Sequence, residues 1–202
     1  MPTSPAASPK TQSTVGLKNV VIAPVTSDTA AGVTYGDLQL VAGAISATIA
    51  PANAEADVQY ADDVEFDVVY PDPEITLTMS LAGMSLAVQE MLLSNNIDEN
   101  GVLVRKAGDK PGYYALGFKS EMADGTFRYV WLYKCRANPI TENYNTKEGT
   151  TINRTPTEVE FTAIKRTYDG YYQAVADEGQ NGFSAEDAAA FLTSVYTPDF
   201  GT

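Results

Sequence analysis

At 202 residues and 21.6 kDa, with 44% hydrophobic residues, the chain is long enough for one well-packed domain. A formal net charge of −13 excludes binding to a nucleic-acid backbone through bulk charge. The absence of His excludes His-based triads and metal ligands, and the single Cys135 excludes an intrachain disulfide and a Cys-rich zinc site.

Residues 1–14 are rich in Pro, Ser, Thr and Ala and have no large apolar side chain for a core face beyond Met1. They are expected to form a flexible N-terminal arm, either a disordered tail or one that orders on a partner. The opening MPTSPAASPK lacks the apolar run of a secretory signal, and no apolar stretch of about 20 residues follows. A soluble protein folding in a reducing compartment is expected. From Val15 the texture becomes β: Val15, Leu17 and Val20 to Val25 predict a strand ending near Pro24, and Ala44 to Ile49 predict another. Residues 63–69 alternate strictly, with acids at Asp63, Glu65 and Asp67 and apolar side chains at Val64, Phe66 and Val68. One carboxylate face and one apolar face are expected. Glu74 to Leu81 repeats the alternation, with Ile75, Leu77 and Met79 on one side.

A helix is predicted next. Ser85 is placed to cap it, Val88, Met91 and Leu92 follow helical spacing, and Asn95-Asn96 end it. Asn100-Gly101 predicts a turn into the strand-like Val102 to Arg105. The strongest hairpin signal is Tyr113 to Met122, Asp124-Gly125, and Thr126 to Arg136. Phe127, Tyr129, Trp131, Tyr133 and Cys135 are expected on one face, the four aromatic residues forming the hairpin's core. Arg128, Lys134 and Arg136 are expected on the other, with Val130 and Leu132 between them. Glu158 to Lys165 predicts a late strand with Val159, Phe161 and Ala163 inward, ended by Asp169-Gly170. Beyond Tyr171 a second helix is predicted, capped by Ser184 with Asp187 completing a capping box. Its apolar side is Ala188, Phe191, Leu192 and Val195. The fold class is therefore mainly β, an antiparallel sandwich or barrel with one flanking internal helix and a C-terminal helix. The divisions are an arm at 1–14, a β domain at 15–170 and a C-terminal extension at 171–202.

Charge is segmented. Residues 19–104 hold thirteen acids and no Lys or Arg. Residues 105–166 hold eleven basic residues against seven acids, and residues 167–202 hold six acids and no base. The acidic cluster at 55–74 admits three readings: a metal site, a solvated strand face or a functional negative surface. A calcium loop needs a curved backbone with Gly at a set position, which this stretch lacks. Cys135, without a His partner, reads as a small core residue. The aromatic row could stack bases, but period-two aromatics are equally the signature of a core strand. No phosphate loop is present. Catalytic residues, metal and cofactor are all expected to be absent, and a structural or binding role remains. Opposite charge blocks predict contacts between copies that are partly electrostatic.

VGLKNVVIAPVT, YADDVEFDVVYPDPEITLTMSLAGMSLAVQEML, GYYALGFKSEMADGTFRYVWLYKCRANP and TPTEVEFTAIKRTYDG, in this order, resemble the major tail proteins of long non-contractile-tailed phages of Gram-positive bacteria. The resemblance spans about residues 15–170. It implies a tail-tube β-sandwich that self-assembles into hexameric rings. These would stack around a tape-measure protein and meet tail-end proteins in a virion tail, made in the host cytoplasm. It further implies a hollow tube that passes DNA without specific binding during genome ejection, with no membrane partner. Under it, some of Glu55, Asp57, Asp63, Glu65 and Asp67 are expected to face the lumen, where carboxylates repel DNA. The alternative is a non-enzymatic β-sandwich binding or adhesion module.

Overall fold

A computed structural model describes residues 13–51, 57–61, 63–69, 74–146 and 155–200, with the side chains of residues 57, 61, 65 and 69 left out of the description. The expected arm, apart from Ser13 and Thr14, and Glu55 lie outside the described residues. The strands are β1 (Thr14–Thr29), β2 (Gly32–Tyr35), β3 (Gln39–Val41), β4 (Ala44–Pro51), β5 (Asp57–Ala61), β6 (Val64–Val69) and β7 (Ile75–Leu81). After α1 (Leu86–Leu93) come β8 (Asn96–Ile97), β9 (Leu103–Val104), β10 (Tyr114–Met122), β11 (Phe127–Ala137), β12 (Thr157–Ala163), β13 (Gln173–Asp177) and α2 (Ala185–Ala190).

The fold is mainly β and antiparallel. Nine strands form one sheet in the order β2-β1-β10-β11-β12-β7-β4, with β13 also on β11 and β3 also on β1. The sheet curls so that β4 approaches β1, but no ladder joins them and no barrel closes. β5–β6 and β8–β9 are separate two-stranded hairpins.

Period-two alternation builds the main core. Ile75, Leu77, Met79 and Leu81 of β7 meet Val159, Phe161 and Ala163 of β12 and the alternating residues of β10, and Leu92 and Leu93 of α1 close it. The helix starts as expected: Ser85 Oγ accepts from the Val88 amide at 3.3 Å, and Ser94 ends it in the left-handed conformation. A second cluster lies on the opposite face of β10 and β11. Tyr129, Trp131 and Tyr133 pack there against Ala188 and Phe191, with half-buried Phe127 at the margin. The Ser184–Asp187 capping box orients α2 over this cluster, and Trp131 Nε1 donates to the Phe191 carbonyl at 2.7 Å. Residues 173–177 add β13 to the sheet, so the C-terminal segment shares the domain's ladders and second core.

Three details differ from the expected pattern. β1 does not stop at Pro24 but continues to Thr29. Pro24 is the last residue paired with β10, and Val25 is the first paired with β2. A proline fits at that handover, where its missing N–H interrupts neither ladder. Cys135 does not share the aromatic face. Leu116 pairs with Leu132, but Tyr114 pairs with Cys135, so β11 carries one extra residue between them. That bulge reverses the phase: Cys135 joins Val130 and Leu132 in the main core, fully buried, and burial pushes its thiol pKa up. The same slip places Arg128 and Arg136 on opposite faces rather than one. It also falls where β11 exchanges partners, from β13 (Arg128 to Leu132) to β12 (Cys135 to Ala137). Third, Val130 and Leu132 are not interleaved with a basic face; they belong to the main core.

Gly117 faces Trp131 across the β10–β11 ladder, and a Cβ there would meet the indole ring at 2.8 Å. Gly117→Val is expected to cost about 3 kcal/mol through overpacking. In thermal unfolding it should lower Tm by roughly 6–12 °C, whereas an unchanged Tm would show that the indole can move aside.

Candidate functional site

One sheet face is bare. The inward residues of β4, β7 and β12 fill the main core, so their alternates point to solvent. The registers align them in three rows across the strands: Ser46, Ser80 and Glu158; Thr48, Thr78 and Glu160; Ala50, Thr76 and Thr162. Six hydroxyls, two carboxylates and one methyl make up this grid, with no cation. Asn138 Nδ2 donates to Glu160 Oε1 at 2.6 Å, and Arg136, opposite Thr162, borders the grid while stacking on Tyr113. By contrast, the outward face of β10 and β11 is covered by the C-terminal segment. The bare face offers no apolar surface to adhere to and no ammonium or guanidinium within the grid to hold a phosphate. Its short side chains, half-buried in the central strand, present a low, hydrated surface. Sequence reading used the apolar half of this alternation and passed over the polar half, although Thr76, Thr78 and Ser80 are as regular as Ile75, Leu77 and Met79.

The expected acidic residues lie elsewhere. Asp57 is at the start of β5, Glu65 and Asp67 are in β6, and Asp63 sits in the connecting turn with φ 61°. Asp67 is exposed and accepts from the Val68 amide at 2.9 Å. The alternation expected over 63–69 is broken by a register shift. Gln59 pairs with Asp67, but Tyr60 pairs with Glu65, so Glu65 and Phe66 both stand opposite Tyr60. Val64 therefore falls in register with the Asp67 side, whereas Tyr60, Phe66 and Val68 form a row. That row is not core: Tyr60 is 64% exposed, Phe66 73% and Val68 41%. Alternation announced a two-faced strand but carried no information on what, if anything, covers the apolar face.

Most of the basic block is matched within the chain. Arg128 forms a bidentate pair with Asp177 at 2.6 and 2.7 Å, and Arg105 pairs with Glu142 at 2.7 Å. Lys18 pairs with Glu121 at 2.5 Å, and buried Arg166 binds Asp169 and the Tyr35 hydroxyl while lying 3.8 Å from the Tyr133 ring centroid. The opposite blocks at 105–166 and 167–202 thus meet through Arg128–Asp177 and Arg166–Asp169 inside one copy.

The tightest of these contacts ties the β1–β2 hairpin to the loop after β12. Asp28 accepts from Lys134 Nζ at 2.6 Å and from the Thr167 and Tyr168 amides at 2.8–3.1 Å, and both charged side chains are buried. Burial raises the Asp28 pKa, but Lys134 and the two amides outweigh it and lower it to about 2. The folded pKa lies below the ordinary value, so this stabilisation is complete above about pH 4 and disappears as pH falls toward 2. Asp28→Asn is expected to cost about 3 kcal/mol at pH 7, because Lys134 stays buried without its counter-charge. Acid titration of unfolding should then show a shallower loss between pH 4 and pH 2 in the variant than in the parent. Parallel acid limbs would contradict the assignment.

Among the described residues no cluster of His, Cys, Asp or Glu is placed to hold a metal ion, and no helix is long and apolar enough to cross a membrane. No curated protein sequence matches the chain. A family model described as phage tail tube protein matches residues 12–197.

Proposed function

The chain belongs to the phage tail tube protein family, and from that premise we propose that its copies form hexameric rings whose bore is lined by the bare face of β4, β7 and β12. The family makes it a non-enzymatic structural component of the virion tail that assembles with itself into a tube. The uncovered, cation-free grid of hydroxyls and carboxylates carries the rest of the reading. DNA presents one charge per roughly 1.7 Å of axis, and a basic wall would bind it by counterion release at every ring. A wall of Ser, Thr and Glu repels weakly, within a screening length of about 8 Å, and stays hydrated. The genome of a long non-contractile-tailed phage would pass such a wall without specific binding. Before ejection the same bore would hold a tape-measure protein, with tail-end proteins closing the stack, all assembled in the host cytoplasm. This reading gives the lumen to the sheet face and leaves the acidic hairpin of Asp57, Asp63, Glu65 and Asp67 for another role.

Negative-stain microscopy of the purified protein tests it. Six-fold rings, or hollow tubes built from them, are the expected result. Featureless monomers at every protein and salt concentration would contradict it and favour the adhesion-module alternative.

A further inference from the structure

Two apolar surfaces of this chain lack a partner within one copy. The first is the row Tyr60, Phe66 and Val68 on the β5–β6 hairpin, whose strands pair only with each other. The second is a cleft at the open side of the curled sheet, where β4 approaches β1 without a ladder. Leu17, Ile45, Ile49, Val130 and Val175 line it, and Ile45 and Val175 are 57% and 52% exposed. The outer edge of β4 has no strand beside it, and neither has that of β6. Free edges and exposed apolar rows of this kind mark strand-addition sites. The charges also complement one another. Residues 52–73 hold seven acids and no base, whereas Arg128 is the one charged side chain among the residues that line the cleft.

We infer that β6 of one copy lies along the β4 edge of a second copy and seats Phe66 and Val68 in the cleft between β4 and β1. The two surfaces differ, so the contact is heterologous and propagates from copy to copy, as a tube requires. The inference rests on the self-assembly reading above and adds which surfaces meet.

Cysteine crosslinking tests it in the full chain, because the native Cys135 is fully buried and leaves little background. Phe66→Cys protein is mixed with Ile45→Cys protein and oxidised gently; both positions are exposed, so folding is preserved. A disulfide-linked dimer of the two variants is expected, with no dimer between Phe66→Cys and Val104→Cys, an exposed residue of β9. Phe66→Asp is expected to abolish assembly while keeping the parent circular dichroism spectrum. Tubes that form without the Phe66–Ile45 crosslink, or Phe66→Asp tubes at the parental level, would overturn the docking and leave the tube reading standing. A parent protein that never self-associates would overturn both.

Discussion

Phages carrying Glu158→Lys and Glu160→Lys should assemble tails of normal length and eject DNA at least about tenfold more slowly. Both side chains are exposed on β12, so the fold has no reason to change. In a hexameric ring each substitution recurs six times, and in a stacked tube it recurs in every ring. Each new ammonium would release counterions from a passing phosphate, and the contacts act together along the bore. High salt should restore part of the rate. Asp63→Lys with Asp67→Lys is the matched control. It changes the same formal charge on the hairpin and is expected to alter assembly rather than ejection. Parental ejection kinetics in intact Glu158→Lys, Glu160→Lys particles would contradict the lumen assignment.

Trp131→Ala should be the most damaging single core change. Trp131 is fully buried between the sheet and the C-terminal segment, and its indole N–H holds the Phe191 carbonyl. Truncation removes a large side chain that the surroundings cannot fill and frees a buried acceptor. A loss of about 4 kcal/mol is expected, or a Tm lower by roughly 8–16 °C. Trp131→Phe keeps most of the volume and removes the donor, so it should cost about 1–2 kcal/mol. Circular dichroism follows both variants, and limited proteolysis should show residues 183–196 cut first in Trp131→Ala. A Tm within 2 °C of the parent, against that expected range, would show that the C-terminal segment does not depend on this contact.

Local rules made some of this architecture legible in the sequence. Ser85 and the Ser184–Asp187 box announced both helices because capping involves residues three apart. Asp124-Gly125 announced the β10–β11 turn because its left-handed glycine is a local requirement, met here at φ 86°. The alternation of Ile75 to Leu81 and of Val159 to Ala163 named the main core. What escaped depended on distant partners. The bulge before Cys135 exists because β11 changes neighbours from β13 to β12, and nothing local to residues 132–135 records that exchange. Asp28 meets Lys134 across 106 positions, so the segment charges suggested contacts between copies where the structure matches many of them within one. The lumen proposal has the same history. Carboxylate density drew attention to residues 55–67, but a lumen face is set by which side of a sheet stays uncovered. That depended on α2 and the C-terminal aromatics covering β10 and β11 while leaving β4, β7 and β12 bare.

The most direct measurement is a cryo-electron microscopy reconstruction of tubes grown from the purified protein, at a resolution that traces β7 and β12. The account predicts six copies per ring with Thr76, Thr78, Ser80, Glu158 and Glu160 on the inner wall. Finding that face on the outer wall, or buried between neighbouring copies, would contradict it.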